Sequence, residues 1–371
     1  MMNQRTFMVV LDDVGPPVGV NATNTPKLHS LIDLAETHEL WVTPNCSATR
    51  AALWTRKYPH KNGIGTIVRH NAATDAPIDM MQLPYPGTGQ RACFGKYHMC
   101  GATRIDTHPK DSGWHYFAGH ASNLGAGGQG GYWDWDYTLN GNTKRVTTYQ
   151  PDVMREQVSN VLVTYQFDFV VYNTALIHKP LHSPMDFDEA ETDEARRLQM
   201  LRRLDDDVFY LISLAVQAGY RVMMFSDNGA ASDAGGGKGT LYDSGIKTPL
   251  YTWQFDVEPQ SLDIVDVLTM VDGNLGDDSR PIGTRDVHYS EVFNPNGKAN
   301  PEKWSWAVSK AGWKLIHTPE GDELYNLEAD GGEQDNLAAE HPDHVERLAR
   351  LAYDIQGREY KVQVEEQTDE V

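Results

Sequence analysis

Cysteine is scarce, positive charge is outnumbered, and no long apolar run is present. The three cysteines, Cys46, Cys93 and Cys100, are too few and odd in number for a disulfide framework in 371 residues. A reducing compartment is the simpler expectation. Lys and Arg number 32 against 52 Asp and Glu, a net charge of −20 at pH 7. Nucleic-acid binding needs clustered cations to neutralise phosphates, so so acidic a chain argues against nucleic acid as a main partner. No apolar run reaches the ~18–20 residues of a membrane span, and no membrane partner is expected. The opening residues MMNQRTFMVVLDD show no basic leader ahead of an apolar stretch. No signal peptide is therefore expected, and the expected location is cytoplasmic.

What is present is globular: 40% hydrophobic and 23% charged residues. Thr6–Leu11 is a short apolar run that reads as a buried strand closed by Asp12-Asp13. Pro26 opens a helical pattern with Leu28, Leu31, Ile32 and Ala35 on one face, and a second strand is expected near Trp41. Residues 101–150 are rich in Gly, His, Trp and Tyr without clear periodicity, and read as a long surface loop. That stretch holds His108, Trp114, His115, His120 and the run Tyr132-Trp133-Asp134-Trp135-Asp136-Tyr137. Its aromatic faces could meet a sugar or aryl group, or pack on one another. Phe167–Tyr172 reads as a strand and Glu189 to Ala218 as a helix, with Asp205-Asp206-Asp207 on its solvated face. Tyr220–Phe225 is a further strand, leading into Ser226-Asp227-Asn228-Gly229, and Ser261–Val271 reads as a helix.

Strands alternating with helices, and polar residues where strands stop, predict an α/β fold with an open sheet. Such sheets bind ligands outside the carboxyl ends of their strands. A catalytic α/β domain is expected over residues 1–275. A small C-terminal α+β subdomain is expected over 276–371, with antiparallel strands at Trp304–Val308 and Trp313–Ile316 and a helix over Pro342–Ile355. The acidic end, Val364–Val371, is expected to fray.

Two pairs of oxygen donors, Asp12-Asp13 and Asp227-Asn228, each follow a buried strand. Neighbouring strands would bring them to one spot. Oxygen-only, multiply negative ligands suit Ca²⁺, or Mg²⁺, better than zinc. Either pair alone is more commonly a turn.

The segment from Cys46 to His60, CSATRAALWTRKYPH, resembles the signature of the type I sulfatases of the alkaline phosphatase superfamily. Ala48, where Pro is commonest, and Arg56, where a Gly usually stands, depart from it. Further matches follow in order. They are Asp12-Asp13, Gly95-Lys96-Tyr97-His98, His178-Lys179-Pro180, Phe225 to Gly229, Gly237 to Tyr242, and Glu323-Leu324-Tyr325-Asn326-Leu327 through Leu337. The resemblance implies a mostly parallel mixed sheet flanked by helices, the alkaline phosphatase-like sulfatase fold. It implies hydrolysis of a sulfate ester, with Cys46 oxidised to formylglycine by a maturation enzyme. Cys46 would be both nucleophile precursor and metal ligand, beside a metal set of Asp12, Asp13, Asp227 and Asn228. Arg50, Lys96 and Lys238 would add positive field, since electrostatic stabilisation of developing charge is often the largest catalytic contribution. Lys96 and His98 would hold the aldehyde hydrate and sulfate oxygens. His178 or Lys238 would protonate the leaving alcohol. His182 is a weaker candidate for the same pocket. Two other readings use the same residues: a phosphonate monoester or phosphodiester hydrolase, and a silent sulfatase-like binder of anionic sugars with Cys46 unconverted. Small and saccharide sulfate esters are both open as substrates. The acidic surface tilts slightly toward small ones, although screening over ~8–10 Å limits that effect.

Overall fold

The computed structural model describes residues 5–72, 89–165 and 167–360. The acidic stretch Val364–Val371 lies outside them. The main sheet has ten strands: β1 (Thr6–Leu11), β2 (Glu36–Trp41), β3 (Arg91–Lys96), β4 (Tyr116–His120), β5 (Trp135–Leu139), β6 (Asn142–Val146), β7 (Phe169–Asn173), β8 (Arg221–Ser226), β9 (Lys247–Trp253) and β10 (Ser261–Asp263). Their order is β10-β2-β9-β8-β1-β7-β3-β4-β5-β6. The run β8-β1-β7-β3-β4 is parallel throughout, so these five strands end on the same side. A second, antiparallel sheet follows in the order β11 (His288–Phe293), β12 (Trp304–Lys310), β13 (Trp313–Thr318), β14 (Gly321–Asn326). The mostly parallel mixed sheet and the smaller C-terminal sheet are the fold class expected from the sequence.

The period of two in the apolar strands divides the core between the two faces of the sheet. In β1, Phe7, Val9 and Leu11 enter one apolar cluster while Met8 and Val10 enter the other. The first face is covered by the helices Gln150–Thr164 and Asp193–Gln217. The second is covered by the helix Cys46–Thr55, whose Leu53 and Trp54 join Trp306, Leu324 and Leu348 of the C-terminal region in one core. The Ser290 hydroxyl donates to the Val42 carbonyl at 2.8 Å, tying the small sheet to the chain just ahead of Cys46.

Three expectations need correction. Residues 101–150 are not a long loop: they carry β4, β5 and β6 at one edge of the main sheet. β6, the terminal strand, has no buried residue to mark it, and in β4 and β5 glycine and aromatic residues mask the alternation. Ser261–Val271 is not one helix but the short strand β10, a 3₁₀ turn over Ile264–Asp266 and a helix over Val267–Asp272. A short apolar run does not distinguish these by periodicity. Asp205 and Asp207 are buried rather than solvated. Asp205 accepts from the backbone amides of Lys27 and Leu28 at 3.1 and 2.7 Å, capping the Pro26–Ile32 helix from its neighbour. Asp207 pairs with Arg203 at 2.8 Å and Arg155 at 3.1 Å. Asp206 is the exposed member, paired with Lys27.

Arg56 closes the Cys46–Thr55 helix in a left-handed conformation, φ 53°, which glycine adopts most easily. Its guanidinium is buried against the Asp272 carboxylate and the Asn274 carbonyl. Arg56→Gly relaxes the backbone but strands the Asp272 side chain, which is itself shielded from solvent. Breaking one side of a buried pair costs about 3–5 kcal/mol. Denaturant unfolding should therefore show Arg56→Gly to be destabilised by about that amount, despite the glycine-favouring cap; equal or higher stability would contradict the pairing.

Candidate active site

The site is assembled at the carboxyl ends of the five parallel strands. β1 and β8 pair with Leu11 opposite Ser226, so Asp12-Asp13 and Asp227-Asn228 leave the sheet side by side. β3 ends in Lys96, β7 in Asn173 and β4 in His120. Only glycine fits one step before Lys96: Gly95 has φ +82°, and an added Cβ would lie 2.0 Å from the Asn173 carbonyl oxygen. Cys46 comes from above, as the first residue of its helix. That helix terminus directs unpaired amides and partial positive charge toward the acids.

Of the residues named from the sequence for this site, all but the weaker candidate His182 are brought together. Sγ of Cys46 and carboxylate oxygens of Asp12, Asp13 and Asp227 lie within 4.8 Å of one another, all four residues buried. Lys96 Nζ donates to Asp12 at 2.5 Å and lies 3.7 Å from Cys46 Sγ. Lys238 Nζ donates to both Asp13 oxygens at 2.6 and 2.8 Å. Arg50 donates to Asp227 at 2.9 Å and to the Lys96 carbonyl at 3.0 Å, fixing the Cys46–Thr55 helix to the sheet. His98 is buried beside them in a left-handed conformation, φ 57°, with Nδ1 unpartnered. His178 is half-buried at the rim. Its Nδ1 donates to the Lys179 carbonyl at 2.8 Å, which leaves Nε2 as the lone-pair nitrogen.

Three carboxylates thus face three cations. Burial would raise the Asp12 pKa, but Lys96, His178, Lys238 and Arg50 outweigh it and hold the carboxyl below its usual range. Burial and the Asp12 charge push Asp227 up to about 6. Burial lowers Lys238, but the Cys46 sulfur, Asp13, Asp12 and Asp227 hold it above the usual lysine range. His98 is pushed well below an ordinary histidine by burial and Lys96, and His178 down to about 4 by the same causes. Burial and Asp227 push the Cys46 thiol up to about 12.

The donor set fits a divalent cation. Asp227 Oδ1 and Asn228 Oδ1 are buried with no hydrogen-bond partner, an arrangement that costs free energy unless something fills it. The Asn228 amide is oriented by its NH₂, which donates to Asp13 at 2.7 Å and to the Gly229 carbonyl at 2.8 Å, so Oδ1 is left available. Hard oxygens from three carboxylates and an amide suit Ca²⁺ or Mg²⁺.

Two site residues escaped the sequence reading. Asn173 accepts from Arg50 at 2.5 Å and is buried at the end of β7. His120, placed among loop residues, is buried opposite Lys96, with Nδ1 donating to the Ser122 carbonyl at 2.7 Å and Nε2 unpartnered. The signal for both is a polar residue where an apolar run stops. His182 does not join the cluster of acids and cations. It is locked between Tyr132, with ring centroids 4.1 Å apart, and the Tyr149 hydroxyl at 2.8 Å.

The raised Asp227 sets a pH dependence. A carboxyl protonated below about 6 must lose its proton to hold a cation. Affinity for a divalent cation, probed with Ca²⁺, should level off above about pH 7 and weaken by up to about tenfold per unit below about pH 6, with proton release on binding. Calorimetry between pH 5 and 7 in buffers of different ionisation enthalpy measures this; a flat affinity with no proton release would contradict it.

No protein-family model matches the chain, and no curated protein matches its sequence. Solved structures do match it in shape. Ps i-CgsB superposes with a TM-score of 0.76 at 17% identity, covering 95% of this chain and 92% of its own. A protein from work on glycosaminoglycan metabolism by Bacteroides thetaiotaomicron gives 0.75 at 16%, covering 96% and 100%. The PsFucS1 sulfatase from Pseudoalteromonas sp. gives 0.71 at 17%, covering 95% and 89%. The chain has the fold of the type I sulfatases, as the sequence resemblance implied.

Proposed function

We propose that the protein hydrolyses a sulfate ester to an alcohol and inorganic sulfate. In this reading residue 46 is converted to formylglycine, and a divalent cation, calcium first, is held by Asp12, Asp13, Asp227, Asn228 and residue 46. The observation that carries the reading is the convergence of Cys46, three carboxylates and three cations at one strand end. The cation would supply positive charge to a sulfate oxygen and lower the pKa of a bound hydroxyl. The hydrated aldehyde would supply one hydroxyl to attack sulfur and a second whose deprotonation releases sulfate.

The chain's own residues account for the rest. Unconverted Cys46 suits the chemistry poorly, because its thiol, pushed up to about 12, stays protonated at neutral pH and the thiolate is the nucleophilic form. Arg50 holds the nucleophile helix in register with β8 through Asp227. Lys96 and Lys238, already paired with the acids, stand where sulfate oxygens would gain charge. His98 would orient the hydrate. Lys238, held charged, and His178, once it carries a second proton on Nε2, would be the groups to give the leaving oxygen its proton.

Ps i-CgsB has been solved with k-i-k-neocarrahexaose, and BT4656 with D-glucosamine-2-N,6-O-disulfate. Their ligands support a saccharide sulfate as the substrate class proposed for this chain. A maturation enzyme acting on Cys46 is the partner the reading requires.

Mass spectrometry of the Cys46 peptide from the native host should show the aldehyde or its hydrate. Cys46→Ala should lower sulfatase turnover by at least about 10³-fold, as removal of a covalent nucleophile does, with the fold retained by circular dichroism. An unmodified thiol together with undiminished turnover would overturn the mechanism. Parallel assays on aryl sulfate and aryl phosphonate decide between sulfate and phosphonate ester hydrolysis.

A further inference from the structure

The segment that carries His178 is unusually constrained. It leaves β7 at Asn173, and the Thr174 amide donates to the Val10 carbonyl at 3.0 Å. The Leu176 amide donates to the Thr174 hydroxyl at 3.1 Å, and the His178 amide to the Ala175 carbonyl at 3.2 Å. Between them Ile177 sits at φ +84°, a conformation that a β-branched side chain rarely adopts. Such a backbone persists only where its surroundings over-determine it.

The clamp is Tyr132. Its side chain is buried, and its hydroxyl lies within hydrogen-bond distance of two carbonyls, Ala175 and His178, the latter at 2.9 Å. These carbonyls bracket Ile177. Burial holds the phenol well above its usual pKa, so it remains a donor. The next contacts extend the brace. The Tyr132 ring packs on His182, and Trp133 stacks on Tyr149 at 4.7 Å. Tyr149 in turn donates to His182 at 2.8 Å. The aromatic run of the sequence therefore grips both ends of the Ala175–His182 segment.

We infer that Tyr132 is a positioning residue for His178: its hydroxyl shares one proton between the carbonyls flanking Ile177 and thereby holds the imidazole at the rim of the acid–lysine cluster. The inference rests on the leaving-group role proposed for His178, but the clamp itself is a matter of geometry and can be read separately. Tyr132→Phe keeps the ring and removes only the hydroxyl.

The experiment has two readouts. In the first, hydrogen–deuterium exchange of the peptide spanning residues 175–179 is compared in wild type and Tyr132→Phe. Exchange should quicken by about tenfold or more in the variant, with far-UV circular dichroism unchanged; unchanged exchange would overturn the inference whatever the enzyme's activity. In the second, kcat and KM are measured with an alkyl sulfate and with 4-nitrophenyl sulfate, using His178→Ala as the reference. Help with the leaving proton matters for an alkoxide and little for a nitrophenolate. Tyr132→Phe should lower kcat about tenfold on the alkyl sulfate with KM nearly constant, and less than twofold on the nitrophenyl ester. Its effect should vanish in the His178→Ala background. If His178→Ala shows the leaving-group split and Tyr132→Phe does not, Tyr132 does not position His178. If His178→Ala shows no split, the proposed role of His178 fails, and the exchange measurement still decides the clamp.

Discussion

Asp12, Asp13 and Asp227 are withdrawn from water at one end of the parallel strands, and so are the cations Arg50 and Lys96 that face them. Lys238 completes the set with most of its side chain covered. An isolated ion in such a place costs several kcal/mol, and only close pairing with good geometry repays it. Everything else in the molecule can be understood as meeting that demand. The strands must be parallel, so that their ends coincide. The helix bearing Cys46 must begin at that end, so that its positive terminus faces the acids. The glycine before Lys96 must be a glycine, so that β3 approaches β7 closely enough for Arg50 to reach both Asn173 and Asp227.

The balance is deliberate in a second sense. Pairing satisfies one oxygen of Asp227 and leaves the other buried and open, and it uses the NH₂ of Asn228 while leaving its oxygen open. At Asp227 and Asn228 the protein thus stabilises the cluster without consuming the donors that a cation would need, whereas both oxygens of Asp13 are shared with Lys238. The same cations that hold the acids in place would face any anion brought to the site.

Much of this was legible from the sequence because strand ends in α/β sheets are marked by abrupt changes of polarity. Asp12-Asp13 and Asp227-Asn228 stand out against the apolar runs before them, and the spacing of Cys46 and Arg50 carries its own resemblance. Less was legible where the environment, not the pattern, decides. Asp205 and Asp207 look solvated on a helical wheel, yet the Pro26–Ile32 and Gln150–Thr164 helices pack over that face. β4, β5 and β6 are short strands at one margin of the sheet, and the aromatic residues of β4 and β5 pack into cores that no local signal announces. Asn173 and His120 follow the strand-end rule, but β4 was not recognised as a strand, and a lone Asn carries no motif. Tyr132 was visible only as part of an aromatic run; the carbonyls it reaches are more than forty positions away along the chain.

The unequal burial around the cluster has a consequence for traffic. Asp12, Cys46, Lys96 and Asp227 have essentially no contact with solvent, whereas Lys238 keeps a fifth of its side chain exposed and His178 is half-open. Among the described residues of the cluster, Lys238 and His178 are therefore the two that anything arriving from solvent meets first.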